Sequence, residues 1–167
     1  MKKLFTLLIC LPIFGFAQQS SLTKLASFTD ADSNRAHVTI SGKAFSLMSK
    51  MEIDSVIDDQ VKRLANSISG MEAYMELSSA TASSMLKNLA ANKAFDEYAS
   101  FDRKGETVKF YVNEKDGVVS EMIVVAVTKN SGYASSVTGK MDIRDVGKLY
   151  KLISDNSYKY LKEKDAK

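Results

Sequence analysis

The sequence predicts an α+β domain: a mostly antiparallel sheet with a C-terminal four-stranded meander, and helices packed as a layer on one face of it. Three observations point there. Apolar and polar residues alternate at 36–41 and 71–77, the period of half-buried strands. Apolar residues recur at spacings of three and four from Phe45 to Ile68 and again from Ile143 to Ile153, the period of helices. Between Ala99 and Gly139, four β-rich runs are separated by short clusters of Gly, Asn and Asp, the residues that hairpin turns need.

The chain opens with Lys2 and Lys3 and an uncharged apolar run from Leu4 to Ala17, then turns polar at Gln18. This is the pattern of a signal peptide, residues 1–17. The run is shorter than the ~20 apolar residues that cross a bilayer, and Pro12 and Gly15 interrupt it near its end. No transmembrane segment is therefore expected in the mature chain. Gly15 and Ala17 are the small residues that signal peptidase requires, which places cleavage between Ala17 and Gln18. Cys10 is the only cysteine. Ile9 before it and Leu11 after it do not make a lipid-attachment signal, so lipid anchoring at Cys10 is not expected and the thiol leaves with the leader.

Residues 18–35 read as a polar leader in which Leu22, Leu25 and Phe28 give a sparse helical stripe. A single α+β domain is expected over 36–155, and a charged tail over 156–167, where lysines alternate with Glu163 and Asp165. Within the domain, AHVTIS is a short strand with Val38 and Ile40 on one face. Gly42 then opens two amphipathic helices with a joint near Met51 and Glu52. In SGMEAYMEL the period is two, with Met71, Ala73, Met75 and Leu77 on the buried side and Glu72, Tyr74 and Glu76 on the wet side. Ser78 and Ser79 cap a helix that carries Met85, Leu86 and Leu89 and breaks near Asn92. The meander follows as ASFDR, TVKFYV, VVSEMIVVAV and YASSVTG, with the very apolar third run expected in the middle of the sheet. In the last helix Asp142 caps the N-terminus, Asp145 completes a capping box, and Met141 packs on Val146 as a staple.

Composition narrows the function more than any motif does. Removing residues 1–17 from 167 leaves no cysteine, which excludes disulfides, thiolate metal sites and cysteine nucleophiles. The formal charge of +3 falls to +1 when Lys2 and Lys3 go, so no nucleic-acid partner is expected. His37, the only histidine, has no patterned nucleophile, and no catalytic residue is assigned. DADSN, residues 30–34, opens like a calcium loop, yet Arg35 and Ser41 stand where Gly and the bidentate Glu belong. It reads as a polar connector with incidental carboxylates. Gly139 and Lys140 resemble the end of a phosphate loop, but Ala134 and Met141 break that motif, leaving an ordinary strand-to-helix turn. Asp58 and Asp59 diverge by about a hundred degrees on a helix, poorly placed to act as a general acid and base pair, and read as solvated face residues. The methionines, among them Met48, Met51, Met71, Met75, Met85 and Met122, read as core filler. No metal and no cofactor is expected. The surviving candidate is a polar binding surface made by Glu72, Tyr74 and Glu76.

Several stretches together, VTISGKAFSLMSKM, SISGMEAYMEL, FDEYASF, VKFYVNEKDGVVSEMIVVAV and above all SSVTGKMDIRDVGKLYKLI, resemble the bacterial domain-of-unknown-function family 4252. The resemblance runs from about Val38 to Ile153 and rests on structural positions such as Gly139 and Asp142. It implies an exported envelope protein, often lipidated in its relatives, with no assigned activity and no catalytic residues to transfer. The functional expectation is an exported, periplasmic or extracellular, non-enzymatic module that binds an envelope protein or component. The alternatives are a carrier or sensor of a small apolar ligand held by Met, Phe and Tyr side chains, and a hydrolase using His37. The intact mass of the exported protein is expected to correspond to a chain starting at Gln18; a diacyl mass on Cys10 would contradict this.

Overall fold

The computed structural model describes residues 20–50, 59–103 and 105–147. Residues 1–17 with Cys10, Ala17 and Gln18, the joint at Met51 and Glu52, Asp58, the later residues of the last helix from Leu149 on, and the tail 156–167 lie outside these.

Among the described residues six strands form one antiparallel sheet: β1 (Ala36–Ser41), β2 (Ile68–Leu77), β3 (Asp96–Arg103), β4 (Glu106–Lys115), β5 (Val118–Val127) and β6 (Gly132–Asp142). Their spatial order is β1-β2-β6-β5-β4-β3. Strands β3 to β6 are the expected meander, and β5 lies inside the sheet between β4 and β6. Asp116 and Gly117, at φ 54° and 81°, make the β4–β5 connection. Two consecutive left-handed residues match the twist of the strands they join, which is why Asp-Gly stands there.

β5 carries buried side chains on both faces, Ile123 and Val125 on one and Met122 on the other. A strand of that kind needs cover on each side. The helical layer expected on one face is accordingly divided. Helices α1 (Leu22–Leu25) and α4 (Ser79–Ala91) close the first face, where Leu22, Leu25, Met85 and Leu89 pack with Tyr74, Tyr111, Ile123 and Val125. Helix α3 (Asp59–Ser67) and the helical backbone at 143–147 close the second, where Leu64 and Val146 pack with Val112, Val119, Met122, Val137 and Met141. Helix α2 (Gly42–Met48) contacts β1, β2 and α3 on that second side.

Local signals explain the helix ends. Ser78 Oγ accepts the Thr81 N–H at 3.1 Å and starts α4 as expected, and Asn92 ends it. Asp142 accepts the Arg144 N–H at 2.9 Å, and Met141 and Val146 share one cluster, as a cap and staple should.

Four readings change. Residues 20–35 are not a leader ahead of the domain: Leu22 and Asp32 are fully buried within it. β3 begins at Asp96, three residues ahead of the expected ASFDR, so Asp96, Glu97 and Tyr98 also belong to the strand. Gly139 and Lys140 lie within β6 and not in a turn. A Cβ on Gly139 would stand 2.2 Å from the Ser67 carbonyl oxygen, so only glycine lets β6 pass that close to the α3–β2 junction. Lastly, β2 carries an irregularity between Tyr74 and Leu77, with Glu76 at φ 60°. That break in the period puts Leu77 on the Tyr74 side and leaves Met75 exposed.

Candidate functional site

The residues that matter begin with the pairing of β1 and β2. His37 lies opposite Tyr74 and Thr39 opposite Glu72, so all four side chains share the α1 face of the sheet. The next strand places Ser136 beside Glu72, and Glu121 of β5 reaches the same serine. A belt of hydroxyls and carboxylates thus crosses the sheet beneath the start of α1.

At its outer end the His37 ring stacks on Tyr74, centroids 4.5 Å apart and planes 11° from parallel. His37 Nε2 is 2.9 Å from Glu72 Oε1. An ionised carboxylate only accepts, so Nε2 carries the proton and donates. Thr23 of α1 and the Tyr74 hydroxyl donate to the same Oε1, each at 3.0 Å. Burial pushes the Glu72 carboxyl upward, but hydrogen bonds from Ser20, Thr23, Tyr74 and His37 outweigh it and hold the group below its ordinary value. The Tyr74 phenol moves the other way, raised by burial and by the nearby Glu72. Phe28 meets Tyr74 edge-on at 4.9 Å, and the Arg35 guanidinium lies 4.2 Å above the Phe28 ring. The His37 side chain is 47 % exposed and that of Glu72 14 %, so the cluster is firmly held yet accessible at the histidine.

The structure brings Glu72 and Tyr74 together and leaves Glu76 out, because the break in β2 turns Glu76 away into solvent. Tyr74 is not on a wet face either; its ring is buried with the core while one face of it meets the His37 ring and its hydroxyl reaches Glu72. His37, expected to stand alone, has a carboxylate partner that is distant in sequence.

Two further carboxylates act inside the fold. Asp32 is not incidental. Its Oδ2 accepts from the Thr29 N–H at 2.8 Å, the Thr29 hydroxyl at 3.0 Å and the Thr81 hydroxyl at 2.7 Å, and its Oδ1 accepts the Ser78 N–H at 2.7 Å. Burial opposes ionisation, but these donors together hold the carboxyl far below the usual carboxylate range. Thr29 and Asp32 form a capping box whose three-residue spacing is visible in the sequence. Glu121 Oε1 accepts from Ser21 N–H at 2.8 Å, Ser136 Oγ at 2.6 Å and Ser20 Oγ at 3.4 Å. Its signal was a single charge inside the apolar run VVSEMIVVAV.

Elsewhere, a groove of about 650 Å³ is lined by Arg63, Asn66, Ser67, Lys140, Asp142, Arg144 and Asp145. Its Arg144 is occupied by Asp142, with Nε and a terminal nitrogen at 2.9 and 2.6 Å from the carboxylate. Among the described residues no group of three or more His, Asp or Glu side chains could hold a metal ion. No described helix is long and apolar enough to cross a membrane.

The family described as Domain of unknown function (DUF4252) matches residues 19–149. The chain belongs to that family. The match begins ahead of β1 and takes in Asp32, Glu72 and Glu121, so the DUF4252 unit includes the segment that α1 and its carboxylate anchors build. No curated protein and no solved structure matches the chain.

Replacing Asp32 with Ala strips the acceptor from two amides and two hydroxyls. At about 1–3 kcal/mol for each buried donor left unmade, some of which recover water, a loss of at least ~2 kcal/mol is expected in urea denaturation at neutral pH. Because the folded-state pKa is depressed, the stabilisation is fully present above the ordinary carboxylate range, near 3.9, and is lost as pH falls below it. The gap between wild type and variant should therefore close in acid.

Proposed function

We propose that this DUF4252 chain is an exported, non-enzymatic domain that binds a protein or another component of the cell envelope around His37, Glu72 and Tyr74. The observation that carries the reading is the half-exposed His37 ring, held flat on Tyr74 and hydrogen-bonded to Glu72. An aromatic, polar surface whose rotamers are already fixed loses little entropy when a partner docks, which is what a binding patch requires. Export rests on the N-terminal sequence: the Lys2–Lys3 pair, the apolar run and the small residues before Gln18.

The 2.9 Å contact between His37 and Glu72 favours one second reading, hydrolysis. A histidine base needs its orienting carboxylate on one ring nitrogen and the nucleophile on the other. Here the Thr39 hydroxyl, 3.5 Å away, faces the same Nε2 that meets Glu72. That geometry supports binding over acyl transfer. An apolar ligand between helix and sheet has less support: Met85, Leu89, Tyr111, Ile123 and Val125 are already packed together there.

A photo-crosslinking amino acid at Thr39, used in intact cells, should capture a discrete partner. His37→Ala and Glu72→Gln should each weaken that capture by at least about tenfold, the loss of one dominant contact. Undiminished capture in both variants would sink the proposal.

A further inference from the structure

The two edges of the sheet are built differently. β3 carries Asp96, Glu97, Asp102 and Arg103, and it has an irregularity between Glu97 and Ala99. Charges and bulges are the devices that stop an edge from pairing with another strand. β1 has neither. It is Ala36–Ser41, AHVTIS, without Asp, Glu, Lys, Arg or Pro, and its pairing with β2 runs through six consecutive residues without a shift. Among the described residues its other side pairs with no strand.

We propose that β1 pairs antiparallel with β1 of a second copy of this chain, joining two six-stranded sheets into one of twelve across a two-fold axis at Thr39. An edge that pairs with itself sets identical residues near one another, so any charge close to the axis meets its own sign. β3 would set Asp96 against Asp102 if it paired about Ala99, whereas β1 opposes no like charges within Ala36–Ser41, Arg35 and Lys43 lying outside the strand. Pairing about Thr39 places Val38 against Ile40 twice and His37 against Ser41 twice. The two largest apolar side chains of the strand then meet on one face and polar ones meet on the other.

A six-residue edge is only about 20 Å long, and alone it buries less than the roughly 1,200 Å² of a stable interface. α2, the helix that directly follows β1 and contacts it, exposes the apolar side chains Leu47 and Met48, 55 % and 52 %. The two-fold axis is normal to the sheet, so it brings the second copy's α2 to the same side. A second copy therefore offers apolar cover where a bare extended peptide offers none. The Glu72 positions of the two copies would lie three strand spacings apart, about 14 Å, making one two-fold surface from two His37–Glu72 clusters.

Sedimentation equilibrium of the purified protein tests this directly. A monomer–dimer equilibrium is expected, with Val38→Lys weakening it at least about tenfold and Ser100→Lys on β3 leaving it unchanged; circular dichroism confirms that both variants fold. Thr39→Cys should give a disulfide-linked dimer on treatment with diamide, since opposed residues at a two-fold axis have Cα atoms about 4.5–5.5 Å apart, while Ser100→Cys should not. A monomer at every concentration, a dimer weakened equally by the two lysine variants, or equal crosslinking by the two cysteine variants would overturn it.

Discussion

Glu121 stands in the middle of the most apolar strand of the sheet, only 4 % exposed, and a carboxylate in that position is tolerated only where donors meet it. The donors are Ser136 from the neighbouring strand and Ser20 and Ser21 from the chain just before α1. The strand thus supplies a buried acceptor, and the N-terminal segment is the part of the molecule that satisfies it. Asp32 repeats the arrangement at the other end of the segment, binding the amide of Ser78 and the hydroxyl of Thr81 at the start of α4. Between these two anchors Leu22 and Leu25 reach the core. Apolar contact alone is non-directional and would let so short a segment slide; two carboxylates that accept from named amides fix its register.

This constraint carries through to the candidate site. Thr23, on the anchored α1, donates to Glu72, and Glu72 in turn holds His37. The exposed imidazole is therefore tied to buried Glu121 through one short segment and one strand. Seen this way, the belt of serines and threonines on β6 and α1 is structural polarity with an accessible end. The groove beside Arg63 and Lys140 differs, because its Arg144 is already paired with Asp142.

Much of the architecture was legible because it depends on local pattern. AHVTIS has its full strand length, Ser78 and Asp142 cap the helices that follow them, and the Asp-Gly turn of the meander is where two positive-φ residues are required. What escaped depends on contacts distant in sequence or on broken periods. Period two groups Glu76 with Glu72 and Tyr74, and no residue type announces the break that parts them. His37 looked partnerless because Glu72 is 35 residues away. Asp32 fails as a metal ligand, yet Thr29 three positions earlier marks it as one half of a capping box. The division of the helices between two faces was implicit in VVSEMIVVAV, which is apolar at every position from Met122 to Val127 and has no wet side there.

Amide hydrogen exchange along α1 tests the central claim most directly, with β5 as the internal reference. If Glu121 anchors the N-terminal segment to the sheet, Ser21 and the α1 amides of Lys24 and Leu25 should be protected in the wild-type protein. In Glu121→Ala they should exchange orders of magnitude faster while Ile123 to Val125 stay protected. Fast exchange of those amides in the wild type, or protection unchanged by the substitution, would contradict it.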